Sequence, residues 1–140
     1  MNTIFMEEAI RLSKTGMRNN EGGPFGAVVV KEGKIIGKGN NKVLLHNDST
    51  AHAEITAIRE ACKNLNSYDL SGCLIYTSCE PCPMCLAAIY WARIDKIYFA
   101  CNRYDAAAIG FDDNEIYKEL NLELHQRKIP VEQIMHDDAH

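Results

Sequence analysis

His52 and Glu54, two residues apart, and Cys82 and Cys85, three apart, are the residues of this chain whose types and spacing suit chemistry. One imidazole and two thiolates form a donor set that suits zinc. Pro81 precedes Cys82, and proline is favoured in a helix's first turn. Residues three apart on a helix share a face. The spacing therefore predicts a helix whose N-terminus aims two sulfurs at one point, where the helix dipole favours the thiolate. Three protein ligands leave the fourth tetrahedral position of zinc open, and zinc with an open position lowers the pKa of water toward neutrality. Glu54, two residues from His52, is placed to move that water's protons without ligating the metal. The chemistry this suits is hydrolytic removal of an amino group from an aromatic ring.

Each half is weak alone. H-x-E is common, and C-x-x-C is often half of a structural zinc site. Together, H-x-E followed by P-C-x-x-C is the zinc deaminase signature. Cys79 gives a competing reading, because Cys79-x-x-Cys82 has the same spacing. A site of His52, Cys79, Cys82 and Cys85 would be closed and inert, with Glu54 dispensable, as in a zinc-stabilised binding module. Cys79 ends a strand pattern ahead of Pro81, which disfavours it as a ligand.

The elements that must position these residues follow from periodicity. Apolar residues at helical spacing predict a helix over residues 3–18. Phe25 to Val30 is a valine-rich apolar run that reads as a buried strand, and Lys34 to Gly39 returns as its antiparallel partner. Gly37 and Gly39 weaken that partner and put it at a sheet edge. Residues 40–51 are polar and irregular. A helix is expected from His52 to about Leu65, a strand over Cys73 to Thr77, a helix over Cys82 to Arg93 and a strand over Ile94 to Cys101. Residues 102–110 read as a loop. Asp112 or Asp113 caps a short helix to about Leu120, residues 122–128 are unassigned, and Pro130 to Met135 reads as a fifth strand. The later alternation of strand and helix argues for an α/β domain with a largely parallel sheet covered on both faces.

Composition bounds the rest. The 140 residues are 46% hydrophobic and 24% charged, which suits one soluble domain over residues 1–140. No stretch approaches a membrane span, and residues 1–8 lack a signal-peptide pattern, so a cytoplasmic protein is expected. In that compartment the six cysteines read as thiols rather than disulfides, with Cys62, Cys73 and Cys101 as small buried hydrophobes. A net charge of −4 offers no broad basic surface for nucleic acid and is compatible with a small neutral substrate.

Five segments carry a resemblance: Gly-Gly-Pro-Phe-Gly-Ala-Val-Val-Val (22–30), Asn-Asp-Ser-Thr-Ala-His-Ala-Glu (47–54), Thr-Ser-Cys-Glu-Pro-Cys-Pro-Met-Cys-Leu (77–86), Ile-Tyr-Trp-Ala-Arg (89–93) and Asp-Ala-Ala-Ala-Ile-Gly-Phe-Asp-Asp (105–113). On them the sequence resembles the cytidine deaminase-like superfamily and, more narrowly, its bacterial guanine deaminase family. The resemblance implies a three-layer α/β/α fold with a five-stranded mixed sheet, a homodimer and one zinc per chain. It implies His52, Cys82 and Cys85 as zinc ligands and Glu54 as proton shuttle. It puts Phe25 against the purine ring, Asn41 and the Ala53 backbone amide on its polar atoms, and Phe111 near the departing amino group. Asp113 is implied as a second proton carrier. The implied reaction takes guanine to xanthine and ammonia, in purine catabolism or salvage.

Plainer readings stand beside these: Phe25 as core, Asn41 as a turn residue, Asp113 as a helix cap, and Tyr90 and Trp91 as core or dimer contact. The family pattern often continues through a further helix that closes the partner's site, whereas this chain stops at His140 in a polar tail, so a pocket closed differently or more open is expected. The enzymatic rivals are a tRNA adenosine deaminase, which needs a basic surface, and a cytosine or nucleoside deaminase such as a guanosine deaminase.

Overall fold

The computed structural model describes residues 3–140. Met1 and Asn2, at the start of the 1–8 segment that lacks a signal-peptide pattern, lie outside the described residues. In chain order the elements are α1 (Thr3–Arg18), β1 (Gly26–Lys31), β2 (Lys34–Asn40), α2 (Val43–His46), α3 (Ala53–Leu65), β3 (Cys73–Cys79), α4 (Pro83–Ala92), β4 (Lys96–Cys101), α5 (Arg103–Ala108) and α6 (Asn114–Leu120). A single turn of 3₁₀ helix at Leu124–Gln126 and a last turn, α7 (His136–Ala139), follow.

The strands form one mixed sheet in the order β2-β1-β3-β4. β1 is antiparallel to both β2 and β3, and only β3 and β4 are parallel. A largely parallel sheet was expected. The difference arises because β1–β2 is a hairpin and only α4 serves as a crossover between parallel neighbours.

Side chains alternate across the sheet, so the continuous apolar run of β1 fills both faces. Val28, Val30 and Tyr76 pack with Phe5, Met6 and Leu12 of α1 on one face. Ala27, Val29 and Ile75 pack with Ala53, Ala57 and Ala61 of α3 and Ile89 and Ala92 of α4 on the other. This is a three-layer α/β/α arrangement. β2 is an edge strand, as expected, but its glycines serve packing. A Cβ at Gly37 would overlap the Ala57 carbonyl oxygen, and one at Gly39 the Ala53 carbonyl oxygen. Their absence lets the backbone of α3 lie directly on β2, which fixes the start of α3 over the sheet.

Other expectations are corrected. The sheet has four strands, not five: residues 130–135 pair with no strand, and Ile129 is 80% exposed and Ile134 69%. With nothing packed on it, an apolar pattern does not make a strand. Residues 102–110 contain a helix, α5, in place of a loop. Asn102 accepts from the Tyr104 and Asp105 N–H groups at 3.0 and 2.9 Å, and Asp105 accepts from the Asn102 N–H at 2.9 Å, a reciprocal cap. A short helix, α2, interrupts the irregular 40–51 segment. Cys101 is exposed rather than a buried hydrophobe, whereas Cys73 is fully buried. Tyr90 and Trp91 are 76% and 86% exposed, so they are not core. No helix among the described residues is long and apolar enough to cross a membrane.

Candidate active site

The starts of α3 and α4 meet at one end of the sheet. His52 occupies the N-cap position of α3 and Cys82 that of α4, both with extended backbone. Pro83, rather than Pro81, takes the first helical position of α4, where its missing N–H costs nothing. Cys85 follows one turn in and is fully buried. His52 Nδ1 lies 3.5 Å from Cys82 Sγ and 3.6 Å from Cys85 Sγ.

The donor atoms of these three residues all lie within 4.8 Å of one another, and they are the group of metal-ligating side chains that converges among the described residues. Bond lengths for tetrahedral zinc put neighbouring nitrogen and sulfur donors roughly 3.5 Å apart, so the arrangement fits zinc. Cys79 ends β3 outside this group, with its Sγ 3.7 Å from the Asn102 carbonyl oxygen. Burial pushes its thiol up to about 11, away from the thiolate that a metal needs.

The electrostatics of the triad point the same way. The hydrogen bond from Cys85 lowers the pKa of the Cys82 thiol most, and the His52 imidazole lowers it further. The same bond to Cys82, with burial, raises that of Cys85. Contact with Cys82 raises His52 above its ordinary value. These are the shifts of donors held together around a shared proton, which a metal would displace.

Glu54 sits in the first turn of α3 and is 7% exposed. Burial pushes its carboxyl up to about 7, assisted by the neighbouring Cys82. A carboxyl with that pKa both accepts and releases a proton near neutral pH. Ala53 opens α3, so its N–H is among those a helix leaves without an intrahelical acceptor.

A cavity of about 440 Å³ lies over this cluster, lined by Phe25, Asn41, His52, Glu54, Cys82, Phe111 and Asp113. Its size is in the range of small-molecule sites. The Phe25 and Phe111 rings meet edge to face, 5.0 Å between centroids at 87°. Asn41 is buried, and its side-chain oxygen accepts from the Val43 N–H at 3.0 Å, which directs the amide nitrogen elsewhere as a donor. Asn41 is thus both a turn residue and a cavity residue. Asp113 precedes α6 but makes no side-chain cap; Asp112 bonds the Asn114 N–H instead, at 2.8 Å. The Asp113 carboxyl is left to the cavity, where burial raises its pKa. Phe25 also packs against the core, so its plainer reading holds too.

Ser78, Glu80, Met84, Arg103 and Ile116 line the cavity without having been singled out from the sequence. Glu80 and Met84 flank the cysteines, and only that neighbourhood signals them. Arg103 has no sequence signal. It reaches the wall because α5 starts where the Glu80 carboxylate accepts its N–H at 3.0 Å, and its guanidinium lies 4.3 Å above the Tyr117 ring.

Comparison with known proteins agrees with this geometry. Guanine deaminase of Bacillus subtilis (strain 168) is 54% identical over 130 residues, covering 93% of this chain and 83% of that protein. The X-ray structure of Bacillus subtilis guanine deaminase superposes with a TM-score of 0.96 at 51% identity, covering 99% of this chain and 89% of that one. The tRNA-specific adenosine deaminase of Aquifex aeolicus is 46% identical over a shorter 96 residues, 69% of this chain and 63% of its own length. Residues 2–101 match the cytidine and deoxycytidylate deaminase zinc-binding region, and the chain belongs to that zinc-dependent deaminase family.

Proposed function

We infer that this protein is a guanine deaminase, hydrolysing guanine to xanthine and ammonia. The observation that carries this is the near full-length likeness to Bacillus subtilis guanine deaminase, which extends past the zinc region through the segment bearing Phe111 and Asp113. Guanine is neutral, planar and rimmed with donors and acceptors. A cavity with two aromatic rings and a few fixed polar groups suits it.

His52, Cys82 and Cys85 would hold the zinc. When bound, zinc supplies a Lewis acid that makes water nucleophilic at neutral pH. Phe25 and Phe111 hold the purine plane. The Asn41 amide nitrogen and the Ala53 N–H donate to its acceptors. Glu54 takes the proton released as water adds at ring carbon 2 and delivers it to the adjacent ring nitrogen. The second water proton reaches the amino group, which leaves as ammonia while the carbonyl forms. Asp113, beside the departing amine, is the second carrier. Burial shifts its pKa upward, the direction that favours the protonated form.

The protein acts as one domain over residues 1–140, as a homodimer in the cytoplasm, in purine catabolism or salvage. Six free thiols suit a reducing compartment. The dimer is supported by Tyr90 and Trp91, which with Leu86, Tyr117 and Leu120 line an exposed apolar groove. A small purine, not nucleic acid, suits the net charge of −4.

The test is ammonia release from guanine, guanosine, adenine, cytosine, cytidine and a tRNA anticodon stem-loop. Guanine is expected to be the preferred substrate. Turnover of the stem-loop with guanine inert would make the protein a tRNA adenosine deaminase instead.

A further inference from the structure

The loop over residues 21–25 enters the cavity wall at Phe25 and is tied down at both ends. The Leu44 and Leu45 N–H groups donate to the Glu21 carbonyl, both at 3.0 Å. Lys42 Nζ pairs with Glu21 at 2.9 Å, and the Asn41 N–H donates to the Phe25 carbonyl at 3.1 Å. Within this loop stand two consecutive glycines. Neither adopts the left-handed backbone that Gly33, Gly72 and Gly110 adopt. What they supply is therefore space, not conformational freedom.

A Cβ on Gly22 would overlap Asn41 Oδ1 and stand 2.5 Å from the Asn41 carbonyl oxygen. The loop thus already lies against the backbone of Asn41 and cannot move closer to it. A Cβ on Gly23 would stand 3.0 Å from Cε1 and Cζ of Phe111 and 3.0 Å from Cε2 of Phe25. At that separation the neighbours must yield by a few tenths of an ångström. With the loop held by Asn41 and the 42–45 segment, the rings must do the yielding. Phe111 is 44% exposed and lies outside the main core clusters, so it gives way more readily than Phe25, which packs on the core.

We propose that Gly23 is a positioning residue for purine recognition: by lacking a side chain it lets Phe111 close edge-on against Phe25 and sets the width of the aromatic mouth. This rests on the deaminase reading of the cavity given above. Gly23 touches neither zinc donor nor reacting atom, so its influence falls on binding more than on turnover.

The experiment compares wild type, Gly23→Ala, Phe111→Leu and the double variant in steady-state guanine deamination, with zinc content and Tm measured for each. Gly23→Ala is expected to raise KM about tenfold while kcat stays within about threefold and zinc content is unchanged. Phe111→Leu removes the ring atoms that the new methyl meets. On that background Gly23→Ala is expected to add about threefold or less, the coupling of residues in contact. A Gly23→Ala enzyme with wild-type KM, or an equal penalty on both backgrounds, overturns the proposal. A wild type inert toward guanine removes the functional reading by itself. The crystal structure of Gly23→Ala without ligand then decides separately: Phe111 displaced from Phe25 upholds the proposal, and an unmoved ring pair overturns it.

Discussion

The two halves of the cavity are built on different foundations. One wall carries His52, Glu54 and Cys82, with Cys85 buried behind them, at the starts of α3 and α4, whose Ala53, Ala57, Ile89 and Ala92 are packed into the core. The other wall carries Arg103, Phe111, Asp113 and Ile116, in a region where every residue beyond Ala92 is partly or fully exposed. The difference teaches how the fold divides its labour. Bond-making groups need sub-ångström placement, which a packed scaffold supplies. On the proposed function, the groups that meet the substrate sit where a change costs little stability. The match to the zinc-binding region ends at residue 101, just before Arg103 and the rest of the second wall.

Substitutions can break or sharpen this contrast. The largest effect is expected from Cys82→Ser, which removes a donor at the α4 N-cap: zinc by elemental analysis should fall to a small fraction of stoichiometry, with activity lost and Tm lowered. Full zinc with activity would remove Cys82 from the site. Next is Glu54→Gln, which keeps shape and removes proton transfer. A fall in kcat of about 10²–10⁴ with zinc retained is expected, whereas undiminished turnover would return the metal to a structural role.

On the exposed wall, Phe111→Ala should raise KM for guanine on the order of tenfold and leave Tm and zinc near wild type, since no buried contact is lost. A large drop in Tm would mean this wall is as structural as the first.

The smallest effect is expected from Glu8→Gln, on the opposite face of the sheet from the zinc site. Glu8 pairs with Arg11 at 2.6 Å and Lys38 at 3.1 Å. The hydrogen bond from Arg11 above all holds its carboxyl down to about 2 from an ordinary 4.5. A carboxyl depressed in the folded state stabilises it above the ordinary value and loses that contribution as pH falls through the folded one. The Tm difference between wild type and variant should therefore be full above about pH 5 and vanish toward pH 2. It should amount to a few degrees at most, because solvent screens the cluster. Activity should not change.

Much of the first wall was legible in sequence because its signals are local. Helix periodicity, the β1 valine run and cap-and-proline spacing around Cys82 depend on neighbours along the chain. The second wall's α5 also has a local signal, the Asn102–Asp105 cap, although its run of alanines reads as a loop. The failed fifth strand shows the limit. Residues 130–135 carry Val131, Ile134 and Met135, but a strand exists only where a neighbouring strand pairs with it. The role of Gly37 and Gly39 was misread for a related reason. A glycine in a strand looks like weakness until the helix lying on it is known.

By itself the sequence determined the donors and their chemistry. One imidazole, two thiolates and a carboxylate at these spacings prescribe zinc and proton transfer wherever two helix starts can meet. Only the tertiary structure decided that Asp113 is free of its cap and that Arg103 reaches the cavity wall. Those outcomes depend on distances between segments far apart in the chain, set by how α3 lies on β2 and where α5 and α6 come to rest, and no local pattern encodes them.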